Sequence, residues 1–462
     1  MIQQFINRRD ELAFLEKKYS SKKPELIVLY GRRRIGKTEL VLKFSEKKQF
    51  IYFLADKRPD KENLNELKEK IGEFFKDELF KKASFKDWVD LLSEFAKKAN
   101  RRIILIIDEF PYLIEGNKAI PSLFQKAWDN HLSKKKIMLI LLGSSISMME
   151  TEVLSYKSPL YGRRTGQWKV TPINVKYLRS FLPKYKTEDL IKVYSITDMI
   201  PLYLNKFQTE KPLTKNMIEQ VFSKGSFLYE EAEFLLREEL REPRNYFAIL
   251  KSIAEGNHRI GLIVNNTGLE KSLVSKYIDT LCNIHILKKV KPVTESNFKA
   301  RNTLYKFEDK YFEFWFKFVY PNKDYIEQGL GKELIRDIEK KFSQHVSIAF
   351  EDFCMKLIPS LSLPFKPSKI GKWWHKENEI DLIALNENTK EILFGECKWK
   401  EKTNASKVIK ELIEKSEKVK WHDDERKEYY AVFAKSFKKK IKEYKGKRVF
   451  CFDLKDIEKT MK

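Results

Sequence analysis

Residues 31–38 read Gly-Arg-Arg-Arg-Ile-Gly-Lys-Thr, a complete G-x-x-x-x-G-K-[ST] pattern. The residues before it, Leu26-Ile27-Val28-Leu29-Tyr30, are apolar enough for a buried strand. Those behind it, Glu39-Leu40-Val41-Leu42-Lys43-Phe44, open a helical pattern. Strand, glycine turn and helix N-terminus in that order aim consecutive backbone N–H groups at an anion. Gly31 and Gly36 let the chain curl, and Arg32, Arg33, Arg34 and Ile35 supply the amides between them. Lys37 is placed to reach the β- and γ-phosphates and the Thr38 hydroxyl to hold Mg²⁺. The expectation is a site for a nucleoside triphosphate, ATP with Mg²⁺.

A second apolar run, 103–107, ends in Asp108-Glu109. Asp108 suits the Mg²⁺ shell, and Glu109 suits a base that polarises the water attacking the γ-phosphate. A third run, 137–142, ends at Gly143-Ser144-Ser145, where a small polar side chain could sense the γ-phosphate; Ser144 is the first choice and Ser145 the second. Gly162-Arg163-Arg164-Thr165 offers an arginine finger, with Arg163 first, acting within the chain or on a neighbour. Its alternative is a solvated basic turn.

The chain has 462 residues, more than one core usually serves, and 42% of them are hydrophobic. No run is long and apolar enough for a membrane span, and no secretory signal is visible. Cys282, Cys354, Cys397 and Cys451 form no C-x-x-C pair, so reduced thiols in a cytoplasm are expected. The 91 basic residues against 66 acidic ones leave a net charge of +25, which favours a polyanionic partner. Nucleic acid comes first and a membrane surface second. A chain rich in Lys, Glu and Ile also resembles thermophile composition, so charge alone does not decide.

Residues 1–205 alternate apolar runs with amphipathic helices, as in a mostly parallel sheet covered on both faces; strands are expected at 26–30, 50–54, 103–107, 137–142 and about 168–172. A charged helix spans 227–242 and should stop at Pro243. Short helices at 247–254, 260–265 and 270–284 then precede strands at 286–290 and 303–307 around a polar tip. This is the winged helix-turn-helix plan, whose third helix, carrying Lys271, Ser272, Ser275, Lys276 and Tyr277, can enter a major groove. A helical adaptor is the alternative. The aromatics Tyr311, Phe312, Phe314, Trp315, Phe316, Phe318 and Tyr320 are expected to be core rather than a base-stacking platform.

The C-terminal part carries a second constellation. Glu351 lies on a helix around 346–353, Asp381 near the start of a strand at 379–385, and Glu396 and Lys398 on a strand at 392–399. Period-two spacing puts Glu396 and Lys398 on one face. Carboxylates from neighbouring elements would hold Mg²⁺ or Mn²⁺, and the lysine would position or activate a water for phosphodiester attack. A scaffold that binds without cutting is the alternative. A helix at 405–420 and strands at 429–434 and 448–453 complete an α/β unit.

Three features together resemble the archaeal ATPases of the AAA+/STAND-like group. Phe5-Ile6-Asn7-Arg8-Arg9-Asp10-Glu11-Leu12 is similar to that family's F-x-x-R-x-x-E-L element, which implies Arg8 near the nucleotide base. The Walker elements at 31–38 and 103–109 are the second feature. The third is the segment 228–243, similar to the family's connection between ATPase and winged helix. The C-terminal part resembles the domain that often follows these ATPases, itself similar to PD-(D/E)XK nucleases; Asp381, Glu396 and Lys398 match that motif and Glu351 its extra helical glutamate. Where relatives often read Gly-Gly-x-Pro-x-Tyr-Leu, this chain has Asp198-Met199-Ile200-Pro201-Leu202-Tyr203-Leu204.

The expected fold is thus α/β, in three parts. An AAA+-type P-loop ATPase with helical lid spans 1–225, a linker helix with winged helix-turn-helix spans 226–325, and a restriction-endonuclease-like α/β domain spans 334–462. The expected function is a DNA-directed ATPase with a metal-dependent nuclease, acting on DNA ahead of RNA, with a homo-oligomer as a further expectation. A STAND-like switch that binds without cutting is the second reading, and an ATPase on a membrane surface the third.

Overall fold

The computed structural model describes residues 5–240, 242–295 and 303–461. The chain divides into two compact units, Met1–Ile173 and Asn174–Lys462.

In the first unit β1 (Glu25–Tyr30), β2 (Phe50–Leu54), β3 (Ile103–Asp108), β4 (Ile137–Gly143) and β5 (Gly166–Lys169) form one parallel sheet in the order β2-β3-β4-β1-β5. Side chains alternate between two cores. Leu26, Val28, Leu105, Ile107, Leu139 and Leu141 enter one, and Ile27, Leu29, Ile104, Ile106, Ile140 and Leu142 the other. Burial on both faces requires unbroken apolar runs, and each such side chain contributes about 1.5–3 kcal/mol. The strand expected near 168–172 begins earlier, at Gly166, because its partner β1 extends the register Ile27↔Gly166 to Tyr30↔Lys169. With β1 beside β4 and β4 beside β3, the C-terminal ends of all three strands lie along one edge. Open parallel sheets bind ligands at that edge.

In the second unit the helix Phe227–Glu239 stops before Pro243, not at it. Pro243 instead opens the helix Pro243–Ala254. A first-turn residue needs no N–H partner, and the fixed φ of proline suits that position. Arg241, in the expected connecting segment, lies outside the described residues. The helices Ile260–Thr267 and Lys271–Asn283 follow, turning at Gly268 with φ 68°. The antiparallel strands β6 (Leu287–Val290) and β7 (Leu304–Phe307) come next. The tip expected between them, 296–302, lies outside the described residues. Tyr311, Phe312, Phe314, Trp315, Phe316 and Phe318 are all buried, as core.

Residues 174–225 group with this second unit. The helix Thr187–Thr197 packs on the long helix Gly331–Leu357 through polar as well as apolar contacts. Tyr194 donates to Asp352 at 2.5 Å, His345 Nε2 donates to the Ser195 carbonyl at 2.9 Å, and Lys356 pairs with Asp198 at 3.0 Å. Burial pushes His345 down to about 4, so it is neutral there. At the departure from the glycine pattern, Asp198 and Met199 both adopt the left-handed conformation, φ 48° and 57°. The turn keeps a glycine-like path with non-glycine residues, a strain of order 1 kcal/mol each.

The rest of the unit contains β8 (Lys369–His375), β9 (Asn378–Asn386), β10 (Glu391–Lys398), β11 (Thr403–Asn404), β12 (Lys427–Ala434), β13 (Phe437–Lys439), β14 (Glu443–Tyr444) and β15 (Lys447–Phe452). Six of these form a mixed sheet ordered β14-β15-β12-β10-β9-β8, while β11 pairs with β13. The helix Ala405–Ser416 packs on β9, β10 and β12. Among the described residues no helix is long and apolar enough to cross a membrane.

Candidate functional site

The loop after β1 delivers residues 31–36 to the N-terminus of the helix Lys37–Ser45. Arg34 and Gly36 take positive φ, 69° and 85°, which turns the chain into the helix. Lys37 is buried, and its Nζ donates to the carbonyls of Gly31 and Arg32, each at 2.9 Å, and to Ser144 Oγ at 2.8 Å. Those three acceptors hold the ammonium against the loop, at the position from which it would meet phosphate oxygens.

Asp108 ends β3 and accepts three hydrogen bonds. Its Oδ2 receives Thr38 Oγ1 at 2.6 Å and Tyr52 OH at 2.9 Å, and its Oδ1 receives the Glu109 N–H at 2.8 Å. Burial and the Asp108 charge push the Tyr52 phenol up, so it stays a donor. A hydroxyl and a carboxylate this close are a hard-oxygen pair that fits Mg²⁺. Glu109 takes the left-handed conformation, φ 51°, and its carboxylate receives Ser144 Oγ at 2.5 Å and the Ser144 N–H at 3.2 Å. Ser144 therefore bridges Lys37 and Glu109, linking the loop to the end of β3.

Arg8 is buried and bound to Glu11 Oε1 at 2.9 Å, the Thr171 carbonyl at 2.7 Å and the Ile35 carbonyl at 2.7 Å. It thus clamps the loop at Ile35. Arg33 donates to Tyr112 OH at 3.1 Å. Arg163 is not part of this cluster: it pairs with Asp129 at 3.0 Å, while Arg164 donates to the Leu154 carbonyl at 2.8 Å.

Close packing makes one glycine irreplaceable. A Cβ on Gly31 would stand 2.3 Å from the Val170 carbonyl oxygen, a backbone atom that cannot yield cheaply. Gly31→Ala is expected to cost about 2–4 kcal/mol and to distort the loop. Thermal melting and nucleotide titration check it, and an unchanged melt with unchanged affinity refutes it.

The C-terminal constellation assembles from β9, β10 and two helices. Lys398 Nζ donates to Glu396 Oε2 at 2.8 Å and lies 3.9 Å from Asp381 Oδ2. The Cys397 N–H donates to Asp381 Oδ2 at 2.9 Å, and Lys415 pairs with the other Glu396 oxygen. Burial, then the neighbouring Glu396 carboxylate, pushes Asp381 up to about 8. Glu396, despite its burial, is held low by its hydrogen bond to Asp381 and by its lysines. One proton therefore resides on Asp381 where a cation would otherwise balance the pair. Glu351 is engaged by Lys372. Among the described residues no three His, Cys, Asp or Glu side chains are grouped to hold a metal ion. Asp381 and Glu396 are the carboxylates brought into contact here, while Glu351 is held by Lys372. Burial would lower Lys398, but Glu396 overrides it and raises the amine, which suits charge stabilisation rather than proton abstraction.

An ATPase domain family predominantly from Archaea matches residues 5–207, and a family of archaeal and bacterial proteins of unknown function matches residues 315–409. The uncharacterized protein MJECL04 of Methanocaldococcus jannaschii is 39% identical over 462 residues, spanning 98% of this chain and 100% of that protein. The chain belongs to this archaeal ATPase family. A second relative in that organism, the uncharacterized ATP-binding protein MJ0423, is 58% identical over 45 residues, 10% of this chain and 76% of the relative. Among solved structures, the Walker-type ATPase PABY2304 of Pyrococcus abyssi is similar in fold, with TM-score 0.51 and 24% identity over 68% of this chain and 96% of that one.

Three participants in these two side-chain clusters carry no sequence signal. Tyr52 is an ordinary strand aromatic until β2 pairs with β3 and brings it to Asp108. Lys372 and Lys415 are two lysines in a lysine-rich chain, distinguished only by the carboxylates they meet.

Proposed function

We propose that this ATPase couples ATP binding and hydrolysis to metal-dependent cleavage of nucleic acid, DNA ahead of RNA. Lys37 and the loop amides of residues 31–38 hold the phosphates, Thr38 and Asp108 hold Mg²⁺, Glu109 activates the water, and Ser144 senses the γ-phosphate. Arg8 fixes the loop near the base. Arg163 acts as a finger toward a neighbouring copy in a homo-oligomer, released from Asp129 on assembly. Residues 226–325 bind DNA as a winged helix, and residues 334–462 form the nuclease.

The observation that carries the nuclease reading is the pair of half-buried Asp381 and buried Glu396 beside Lys398. Two carboxylates sharing a proton are primed to exchange it for Mg²⁺ or Mn²⁺, and when bound that ion supplies Lewis acidity toward a phosphodiester. Glu351 supports the pair from the adjacent helix, and Lys398 neutralises developing negative charge. The test is cleavage of single-stranded, duplex and branched substrates with and without ATP. Activity that needs divalent metal and disappears in Asp381→Ala supports the reading, and none on any substrate overturns it.

One observation favours a switch that binds without cutting: Lys398 and Lys415 already pair with both Glu396 oxygens. That arrangement balances the acid with no ion. If Lys415→Met gains metal affinity while the wild type shows none, the switch reading prevails.

Under either reading, DNA affinity should fall steeply with salt, because basic contacts release counterions. Charge reversal at Lys271 and Lys276, on the helix Lys271–Asn283, should weaken duplex binding by about tenfold or more if that helix enters a groove. Unchanged affinity with intact ATP turnover would make residues 243–307 an adaptor.

A further inference from the structure

Between the β6–β7 ribbon, the helix Gly331–Leu357 and β8, the second unit encloses a cavity of about 1290 Å³. Eleven lysines line it against six carboxylates. Several are balanced within the wall: Lys310 by Glu313, Lys356 by Asp198 and Asp352, and Lys372 by Glu351. Lys306, Lys317 and Lys341 line the same cavity, and none forms an ion pair with a described residue. Lys306 and Lys317 sit where burial lowers their proton affinity, Lys306 further under the neighbouring charge of Lys372. Lys306 and Lys317 are half-buried and Lys341 is exposed; Glu313 acts on the first two, yet lysines outnumber carboxylates around the wall, and that excess of positive charge suits an incoming anion.

Size decides what form that anion takes. The volume equals a cube about 11 Å on edge, no wider than one major groove of about 12 Å, so a duplex cannot enter. It also exceeds the roughly 300–1,000 Å³ of ordinary small-ligand pockets. A flexible strand with regularly spaced phosphates satisfies both limits and matches spaced lysines. The cavity wall includes Glu351, whose charge acts on Asp381, so one end of the cavity adjoins the carboxylate pair.

We propose that this cavity binds a single-stranded segment of nucleic acid, its phosphates on Lys306, Lys317 and Lys341, and leads it toward Asp381 and Glu396. The destination rests on the nuclease reading, whereas the binding stands without it.

The experiment uses the full chain in a metal chelator, with a fluorescent oligothymidine and a blunt duplex of equal length as probes. Lys306→Gln/Lys317→Gln should weaken oligothymidine binding about tenfold, and Lys306→Glu/Lys317→Glu about a hundredfold. For the glutamine pair, losing two contacts should make the log affinity versus log salt slope shallower by about 1.4. Duplex affinity, which rests on the helix Lys271–Asn283, should fall several-fold less than oligothymidine affinity. ATP turnover and melting serve as fold checks, and the glutamine pair guards against misfolding by charge reversal. Equal losses on duplex and single strand, unaltered oligothymidine affinity, or a loss confined to mononucleotides would each overturn the proposal. A parallel cleavage assay with Mn²⁺ separates the two readings. Lysine-dependent strand binding without any cleavage supports this site and sinks the nuclease. Cleavage by a glutamate pair that binds strands like wild type sinks this site alone.

Discussion

Lys37→Ala and Glu109→Gln should each reduce ATP turnover by about a hundredfold or more, by different routes. The Lys37 ammonium is held by the Gly31 and Arg32 carbonyls and Ser144 Oγ, so it is buried at the loop before any phosphate arrives. Removing it leaves those acceptors facing phosphate oxygens with no cation between them, and ATP affinity itself should fall. Glu109→Gln keeps the side-chain shape and one acceptor for Ser144 but has no basic carboxylate. ATP should then bind with near wild-type affinity and persist. Ser144→Ala should fall between them, because it loosens Glu109 and Lys37 together without removing either charge. Equilibrium ATP titration and single-turnover phosphate release distinguish the three. Wild-type turnover in Glu109→Gln would remove Glu109 from the water-activating role.

What the sequence disclosed follows from how each feature is encoded. β1, β3 and β4 are buried on both faces, so each had to be a continuous apolar run, and the polar residues at the ends of β3 and β4 stood out against it. Asp108 and Glu109 are legible for that reason, as is the loop, whose chemistry needs fixed residue types at fixed spacing. The aromatics from Tyr311 to Phe318 were legible as core from density alone. Pro243 misled because proline both ends and begins helices, and the choice depends on whether the preceding residues can leave the helix first. The Asp198-Met199 turn could not be read at all. Both residues take the left-handed path without a glycine, Asp198 meeting Lys356 there, and Met199 is a residue type that seldom does so. Lys306, Lys317, Lys372 and Lys415 were hidden for the opposite reason. Among 91 basic residues, position in three dimensions alone separates a solvated lysine from one lining a site.

Mn²⁺ should stabilise the full chain, and more strongly as pH rises from about 5 to about 8.5, because metal and proton compete for the same carboxylate pair. Asp381 titrates at about 8 in the folded chain, above the ordinary aspartate value. Across the window from about 4 to 8 the folded state keeps a proton that the unfolded state has released, so stability from this group falls as pH rises. A bound cation replaces the proton and restores what is lost. Asp381→Asn holds a neutral group of the same shape, so it should flatten the pH dependence in chelator and abolish the Mn²⁺ shift. Lys398→Ala should behave differently. Its amine stays protonated beside Glu396, so its loss should leave the Mn²⁺ shift in place while lowering cleavage about a hundredfold. Melting curves at three pH values, with chelator and with Mn²⁺, paired with a gel cleavage assay, measure all of this. A Mn²⁺ shift equal in wild type and Asp381→Asn would place the metal elsewhere, and no shift at any pH with no cleavage would reduce the pair to an acid locked by Lys398 and Lys415.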